Sequence, residues 1–571
     1  MSADDLWQER FERLQLLNRI GIALSAERNK ERLIETILLE AKKLCNADGG
    51  TLYLRTPKDT LRFAIMRTDS LGIALGGSTG RRIDLPEIPM FDAETGAPNH
   101  KNVATYAACE RCAVNVPDAY SEEDRFDFSG TARFDEANGY RSTSFLTIPM
   151  VNNEQEVTGV LQLINARDRR GGEIIPFPED LAEIVEALAS QAAVALDNQM
   201  LLEGQKILLE SFIKMIAAAI DAKSPYTGGH CERVPILTEM LTRAACETIN
   251  GPFANFELSD DEWYELRIAA WMHDCGKVTT PVHVMDKATK LETIFDRIAV
   301  VRARFEVLER DAELKYLRAL GELDDRNGEE AQALSDSHRA ELVALRDDLA
   351  FLERSNVGGE FLAPEDRQRV AAIGRRPYRQ GGEEQTLLSE DEVKNLSVSR
   401  GTLTDEERVI INGHMVQTIK MLEALPFPKN LAQVPEYAGG HHEKLDGTGY
   451  PKGIFAGDMS VPARIMAIAD VFEALTAQDR PYKKGKTLSE SMGIMGKMKQ
   501  FNHLDPELFD LFVSSGVYRH YAERFLPPAQ VDEVDEAALL AIQPKSFDLP
   551  DQDERRLRKR GFLPEYGGRD A

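Results

Sequence analysis

The chain lacks any apolar run approaching the roughly 18 residues that a membrane-crossing helix needs. Its first residues, MSADDLWQERFERLQLL, are charged and amphipathic, without the apolar stretch and cleavage site of a signal peptide. Both absences predict a cytoplasmic protein with no membrane partner. Positive charge is also short: 69 Lys and Arg stand against 95 Asp and Glu, a net charge of −26. Such a balance excludes broad electrostatic binding to nucleic-acid polymers or anionic membranes. A phosphate-bearing substrate would need cations concentrated locally, as metal ions or a few basic side chains. Cysteine is scarce at six, and only Cys109 and Cys112 have C-x-x-C spacing, with no second pair to complete a zinc site. Reduced thiols are the expectation.

What is present is an ordinary globular composition, 43% hydrophobic and 29% charged, in 571 residues, enough for two to four domains. Residues 7–48 read as helix. The period then changes: Leu52 and Leu54 flank Tyr53, a Pro57-Lys58-Asp59 turn follows, and Leu61 to Met66 reads as a second strand. Ser144–Val151 and Val157–Ile164 flank Asn152-Asn153-Glu154 as another hairpin. From Pro178 the period is helical again, with Leu181, Ile184, Leu188, Val194 and Leu201 on one long segment. Helix, antiparallel strands and an exit helix make an α+β pattern.

Beyond about residue 205 strand signals nearly vanish. In the block 286–398, Ile294, Ile298, Val301, Phe305 and Leu308 recur at spacings of 4, 3, 4 and 3, and Leu342, Leu345, Leu349 and Leu352 at 3, 4 and 3. A polar break at Asp324–Gly328 separates them, which predicts an antiparallel helical hairpin, either a spacer or a docking arm. The stretch Gly358–Gly401 reads as loop, and the polar tail 527–571 suggests little.

Histidine carries the chemistry. Of only ten, five fall in metal-ligand contexts in the helical half: His230, His273, His414 and the adjacent His441 and His442. Carboxylates accompany them, with Asp274 directly after His273 and Asp470 inside the apolar run Ile465–Leu475. Imidazole with carboxylate suits Fe, Mn, Co, Ni or Zn. The carboxylate of a His-Asp pair can bridge two ions, which together can acidify a water and hold a phosphoester in line. Asp470, unpaired in an apolar helix, would cost several kcal/mol; a metal or a basic neighbour would relieve it.

Residues 441–451, HHEKLDGTGYP, match the H-H-E-x-x-D-G-x-G-Y-P signature of HD-GYP phosphodiesterases, which this chain resembles. Satellites follow in the family's order: YTGGHCERV, HDCGK, LTDEERVIINGH and ADVFEALTAQDRPYKK. The resemblance implies an all-α HD domain over 205–285 and 399–526, split by the insertion at 286–398, which is not part of the usual pattern. It also implies a hydrolase that opens cyclic di-GMP with a bimetal-activated hydroxide. His230, His273, Asp274 and Asp470 would hold one metal, and Asp274, His414, His441 and His442 the second, Fe or Mn first and Ni, Co or Zn as alternatives. Asp274 and Lys277 would be the catalytic pair, with Lys277 on the substrate phosphate. Arg480 and Lys483 would contact phosphates, while Asp446, Gly449 and Tyr450 would form the substrate loop. Tyr226 stands where some members place a third-metal Glu, so two metals and linear pGpG are implied. Cys275 is read as a redox-sensitive thiol or a small buried residue.

The N-terminal half, residues 1–200, resembles GAF domains in VNVPDAYSEEDRFD, FDEANGYRSTSFLTIPM and LQLINARD. Asn165, Phe177 and Asp180 match part of their Asn-Lys-Phe-Asp-Glu motif, with Ala166 in place of Lys. That implies a sensor domain for a small-molecule ligand or for dimerisation alone, joined to the catalytic half by a helix over 178–222. The exit helix also suggests a homodimer. Two rivals stay open: a phosphodiesterase for another cyclic dinucleotide such as cyclic GMP-AMP, and a non-catalytic protein that binds such a dinucleotide.

Overall fold

The computed structural model describes residues 15, 17–121, 125–168, 172–223, 229–359, 361–477 and 485–567. The chain divides into two compact units, Met1–Leu209 and Glu210–Ala571. No described helix is long and apolar enough to cross a membrane.

In the first unit the helix expected over 7–48 is interrupted. One helical stretch ends at residue 26, and α1 (Lys30–Cys45) starts afresh behind Asn29, whose side chain caps it by accepting from Arg32 N. Strands β1 (Ala47–Arg55), β2 (Thr60–Thr68), β3 (Ile73–Gly76), β4 (Ile88–Pro89), β5 (Val114–Val116), β6 (Phe145–Val151), β7 (Val157–Arg167) and β8 (Ile174–Ile175) form one antiparallel sheet. Its order is β3-β2-β1-β7-β6-β5, with β4 on β2 and β8 on β7. Alternation along the strands sorts the faces. Leu52, Leu54, Leu161 and Leu163 pack on α1 and on Val185, Leu188 and Ala192 of the long helix α4 (Glu179–Lys223). The opposite face meets α2 (Val103–Glu110) and α3 (Ser129–Asn138) around a cavity of about 710 Å³ lined by Thr51, Tyr53, Lys101, Tyr140 and Gln162. Asn165 does not face that cavity. Buried, it donates to Tyr140 Oη and Arg141 O, both at 2.8 Å, and accepts from Thr143 N at 2.7 Å, bracing the 140–144 segment.

The second unit is helical. Its elements are α5 (His230–Cys246), α6 (Asp260–Met272), α7 (Val282–Met285), α8 (Ile298–Gly321), α9 (Glu329–Val357), α10 (Pro364–Gly374), α11 (Glu390–Leu396), α12 (Asp405–Asn412), α13 (His414–Glu423), α14 (Val434–Gly439), α15 (Val461–Thr476), α16 (Leu488–Gln500), α17 (Pro506–Ser514), α18 (Val517–Phe525), α19 (Glu536–Ala541) and α20 (Gln552–Arg560). The main core joins α5, α15, α16, α17 and α18 through Leu237, Leu241, Ile468, Phe472, Met492, Phe509 and Tyr518.

The insertion has a core of its own. Ile298, Val301 and Phe305 of α8 meet Leu345 and Leu352 of α9, but Ile294 precedes the helix and is 98% exposed. The stretch Gly358–Gly401 is not a loop. It holds α10, a two-stranded hairpin of β9 (Pro377–Gln380) and β10 (Glu383–Thr386), and α11. The reason is local. Pro364 opens α10, Gly381 and Gly382 turn with positive φ, and Ser389 with Glu392 forms a capping box for α11. Val370, Ile373, Tyr378, Leu388 and Leu396, too far apart to show a period, then fill the core. Lys290 is buried at the insertion's root, where its amine donates to Leu396 O and Val398 O at 3.1 and 2.7 Å.

Candidate metal centre

The candidate ligands sit at helix ends. His230 opens α5, His273 follows α6, His414 opens α13, His441 and His442 follow α14, and only Asp470 lies inside a helix, α15. Three of the histidines donate Nδ1–H to the carbonyl three residues back: His273 to Ala270 O at 2.8 Å, His414 to Ile411 O at 2.5 Å and His441 to Ala438 O at 2.6 Å. A carbonyl can only accept, so each ring carries its proton on Nδ1 and presents a bare Nε2 lone pair inward. That is how outer hydrogen bonds prepare a histidine for a metal.

The inward atoms gather in two groups of four, each within 4.8 Å: His230, His273, Asp274 and Asp470, and Asp274, His414, His441 and His442. Asp274 belongs to both, and its two oxygens divide between them. Oδ2 lies 3.3 Å from His230 Nε2 and 3.2 Å from His273 Nε2, while Oδ1 lies 3.3 Å from His414 Nε2. His230 Nε2 is also 3.3 Å from Asp470 Oδ1. Donor atoms bound at 2.0–2.2 Å to one ion stand about 3 Å apart, so the spacing suits divalent metals. Asp274 Oδ1, His414 Nε2 and His441 Nε2 are buried without a hydrogen-bond partner. Three orphaned acceptors around one point are costly unless a cation takes them up.

The electrostatics follow from how these groups are packed. Burial works to lower the His230 pKa, but the Asp274, Asp470 and Glu473 carboxylates outweigh it and hold it well above the usual range. Burial lowers His441 to about 4 and His442 well below the ordinary histidine value, keeping both neutral as ligands must be. Asp274 is buried yet held well below the carboxylate range by Lys277 and His273. Lys277 Nζ sits on Asp274 Oδ2 at 2.5 Å, so the structure pairs this lysine with the shared carboxylate. Burial pushes the Cys275 thiol up to about 12, which disfavours a reactive thiolate and leaves it as a small buried residue.

The loop after His442 doubles back tightly. A Cβ on Gly449 would lie 2.3 Å from Lys444 N, and one on Gly447, at φ 74°, would lie 2.4 Å from the Phe455 ring. Asp446 accepts from Thr448 N and Oγ1 at 3.0 and 2.7 Å and thereby shapes the turn. The Tyr450 ring stacks on His442 with centroids 4.9 Å apart and planes 20° from parallel. Arg480, Lys483 and Tyr226 lie outside the described residues.

Two carboxylates escaped the sequence reading. Glu473 accepts from His230 Nδ1 and pairs with Arg233 at 2.6 Å, fixing the His230 ring. Its signal was the i+3 spacing from Asp470 on one helix face. Glu443 is buried and accepts from Lys452 N at 2.7 Å and Ile454 N at 3.1 Å, tying down the far side of the loop.

Known families divide along the same lines as the fold. Residues 29–196 match the GAF domain family and residues 391–508 the HD domain family. The chain joins a GAF domain to an HD domain. This GAF–HD chain is 42% identical over 113 residues to the 3′3′-cGAMP-specific phosphodiesterase 1 of Vibrio cholerae, covering 20% of the chain and 25% of that relative. A cyclic di-GMP phosphodiesterase of Pseudomonas aeruginosa is 39% identical over 120 residues, 21% of the chain and 28% of the relative. The 3′3′-cGAMP-specific phosphodiesterase 3 of V. cholerae is 24% identical over 301 residues, 53% of the chain and 38% of the relative. The chain thus spans about a quarter to two fifths of the length of these relatives.

Proposed function

We propose that the HD-GYP domain hydrolyses a 3′–5′ phosphodiester of a cyclic dinucleotide, cyclic di-GMP before 3′3′-cGAMP, and releases the linear dinucleotide pGpG from the former. The reading is carried by Asp274, whose two oxygens face two separate sets of imidazoles. His230, His273, Asp274 and Asp470 would hold one divalent ion, and Asp274, His414, His441 and His442 the other, with Fe or Mn favoured by the mixed nitrogen and oxygen donors. Such a pair, when bound, supplies an acidified water and holds the attacking and leaving oxygens in line. Lys277 stays cationic, since Asp274 and Asp470 outweigh the effect of its burial, and offers its charge to the phosphate. Asp446, Gly449 and Tyr450 shape the wall on which the substrate rests, and Arg480 and Lys483 add cationic contacts.

The test is metal content by mass spectrometry on protein purified without oxygen, paired with chromatographic turnover of both dinucleotides. Two metals per chain with accumulating pGpG are expected. Neither metal nor turnover after reconstitution with Fe or Mn would favour a protein that only binds the dinucleotide.

The GAF cavity, with Lys101 and Gln162 beside Tyr53, suits a small polar ligand that regulates this hydrolysis. The chain also acts as a homodimer. On α4, Leu201, Leu208, Phe212 and Met215 recur at spacings of 7, 4 and 3 and are 51–59% exposed. This is the seam of a parallel coiled coil with a second copy. Replacing Leu208 and Met215 together by Glu is expected to halve the mass seen by light scattering; an unchanged mass would sink the dimer.

A further inference from the structure

Beyond the main core the chain continues into a segment that serves one loop. Asn502 Nδ2 donates to Lys545 O at 2.6 Å, and Phe547 packs on the cluster of Leu445, Ile454 and Met459. In α20, Arg555 and Lys559 reach the Asp458 carboxylate at 3.5 and 3.2 Å. Between them, Arg558 donates to the carbonyls of Gly447 and Gly453 at 3.3 and 3.0 Å, its guanidinium 4.9 Å from the Phe455 ring. Leu563 N then donates to Pro451 O at 2.8 Å. The strap ends at Tyr566, whose hydroxyl accepts from Asn412 Nδ2 at 3.3 Å and whose ring lies 6.4 Å from that of Tyr450.

The pattern of these contacts is informative. No residue of α20 is buried, so the helix adds nothing to the hydrophobic core. Its three inward-reaching cations instead neutralise or cap acceptors of the 447–458 loop. A helix that buries no residue and anchors one loop repeatedly has that loop as its purpose. It also delivers a half-buried aromatic ring beside Tyr450, which already stacks on the candidate ligand His442. Asn412, which holds the Tyr566 hydroxyl, lies two residues before the candidate ligand His414.

We propose that the C-terminal strap holds Tyr566 as a second aromatic wall of the cleft, a positioning residue that stacks a purine base of the cyclic dinucleotide. The proposal rests on the cyclic-dinucleotide reading above. Tyr450 and Tyr566, tilted 42° to one another, form an open corner rather than a closed stack, so a planar base can lie against the second ring while the phosphate stays at the imidazoles.

The test compares wild type with Tyr566→Ala, Tyr566→Phe and Tyr566→Trp on cyclic di-GMP and on bis(4-nitrophenyl) phosphate, a phosphodiester without a base. Tyr566→Ala is expected to raise KM for cyclic di-GMP about ten-fold, the range of one lost base–aromatic stack. The ring-retaining variants should stay within about three-fold of wild type, because stacking needs the ring and not the hydroxyl. The loss in kcat/KM should be about five-fold larger or more on cyclic di-GMP than on the base-free ester. Arg558→Ala, which unfastens the strap away from the cleft, should raise the same KM in the same direction. An unchanged KM in Tyr566→Ala, equal losses on both esters, or faster turnover after unfastening would each overturn the positioning role. If wild type cleaves the base-free ester yet shows no calorimetric binding of either cyclic dinucleotide, the substrate reading itself falls.

Discussion

Asp274→Asn is expected to leave fewer than two metals per chain and to cut cyclic dinucleotide turnover about a thousand-fold, near 4 kcal/mol of lost transition-state stabilisation. The substitution keeps the shape and one oxygen of the side chain but removes the charge that two cations would share. Oδ2, between His230 and His273, and Oδ1, toward His414, cannot both remain anionic donors in an amide. Both groups of four lose their common member, so the effect should exceed that of removing His230 or His442, each of which serves one group alone. Mass spectrometry and chromatographic product analysis would check it, with circular dichroism to show that the helices persist. A variant that keeps two metals and full turnover would refute the shared-carboxylate arrangement.

Gly276→Ala should damage the centre without touching any ligand. A Cβ at this position would lie 2.0 Å from His414 O and 2.6 Å from Thr418 N, both backbone atoms that cannot swing away. Gly276 N also donates to Thr418 Oγ1 at 2.9 Å, so the turn carrying Asp274 rests directly on α13. A methyl group there forces the two apart by an ångström or more, and with them the two groups of candidate ligands. Overpacking of this kind costs about 1–3 kcal/mol, a fall in Tm of about 2–12 °C for a domain of this size. Metal content should fall with it. Gly493→Ala is the matched control: nothing lies within 4 Å of a Cβ there, and in α16 alanine should leave Tm level or raise it. Equal melting of the two variants would show that the close approach does not matter.

The α+β first unit and the helical second unit were legible because their periods are strong. Leu52 and Leu54 alternate and fall in one sheet face, and the turns at Pro57–Asp59 and Asn152–Glu154 separate paired strands. The histidines and aspartates that motif spacing singled out do converge, since all but Asp470 lie at helix ends, where local sequence sets direction. What escaped was set by tertiary partners. The α10–β9–β10–α11 region has elements of 4–11 residues, too short for a period to declare itself against its charged surroundings. Glu443 and Glu473 gain meaning only from the backbone amides and the imidazole they meet. The polar tail hid its role for the same reason: Arg558 binds carbonyls, and carbonyls leave no trace in a side-chain pattern.

The independent core of the insertion bears on the order in which the HD domain folds. The turn carrying Asp274 must find α13 across 142 residues of chain. Closing a structureless loop of that length costs about 4 kcal/mol of entropy before any contact repays it. But Thr402 Oγ1 donates to Lys287 O at 2.9 Å, so the insertion leaves the domain nearly where it entered. Once Phe305, Leu352, Val370 and Leu396 have collapsed together, the detour shrinks to a short clasp. An insertion that condenses first converts a slow, long-range search into a local one, and the candidate ligands then assemble as if the intervening residues were a tight turn.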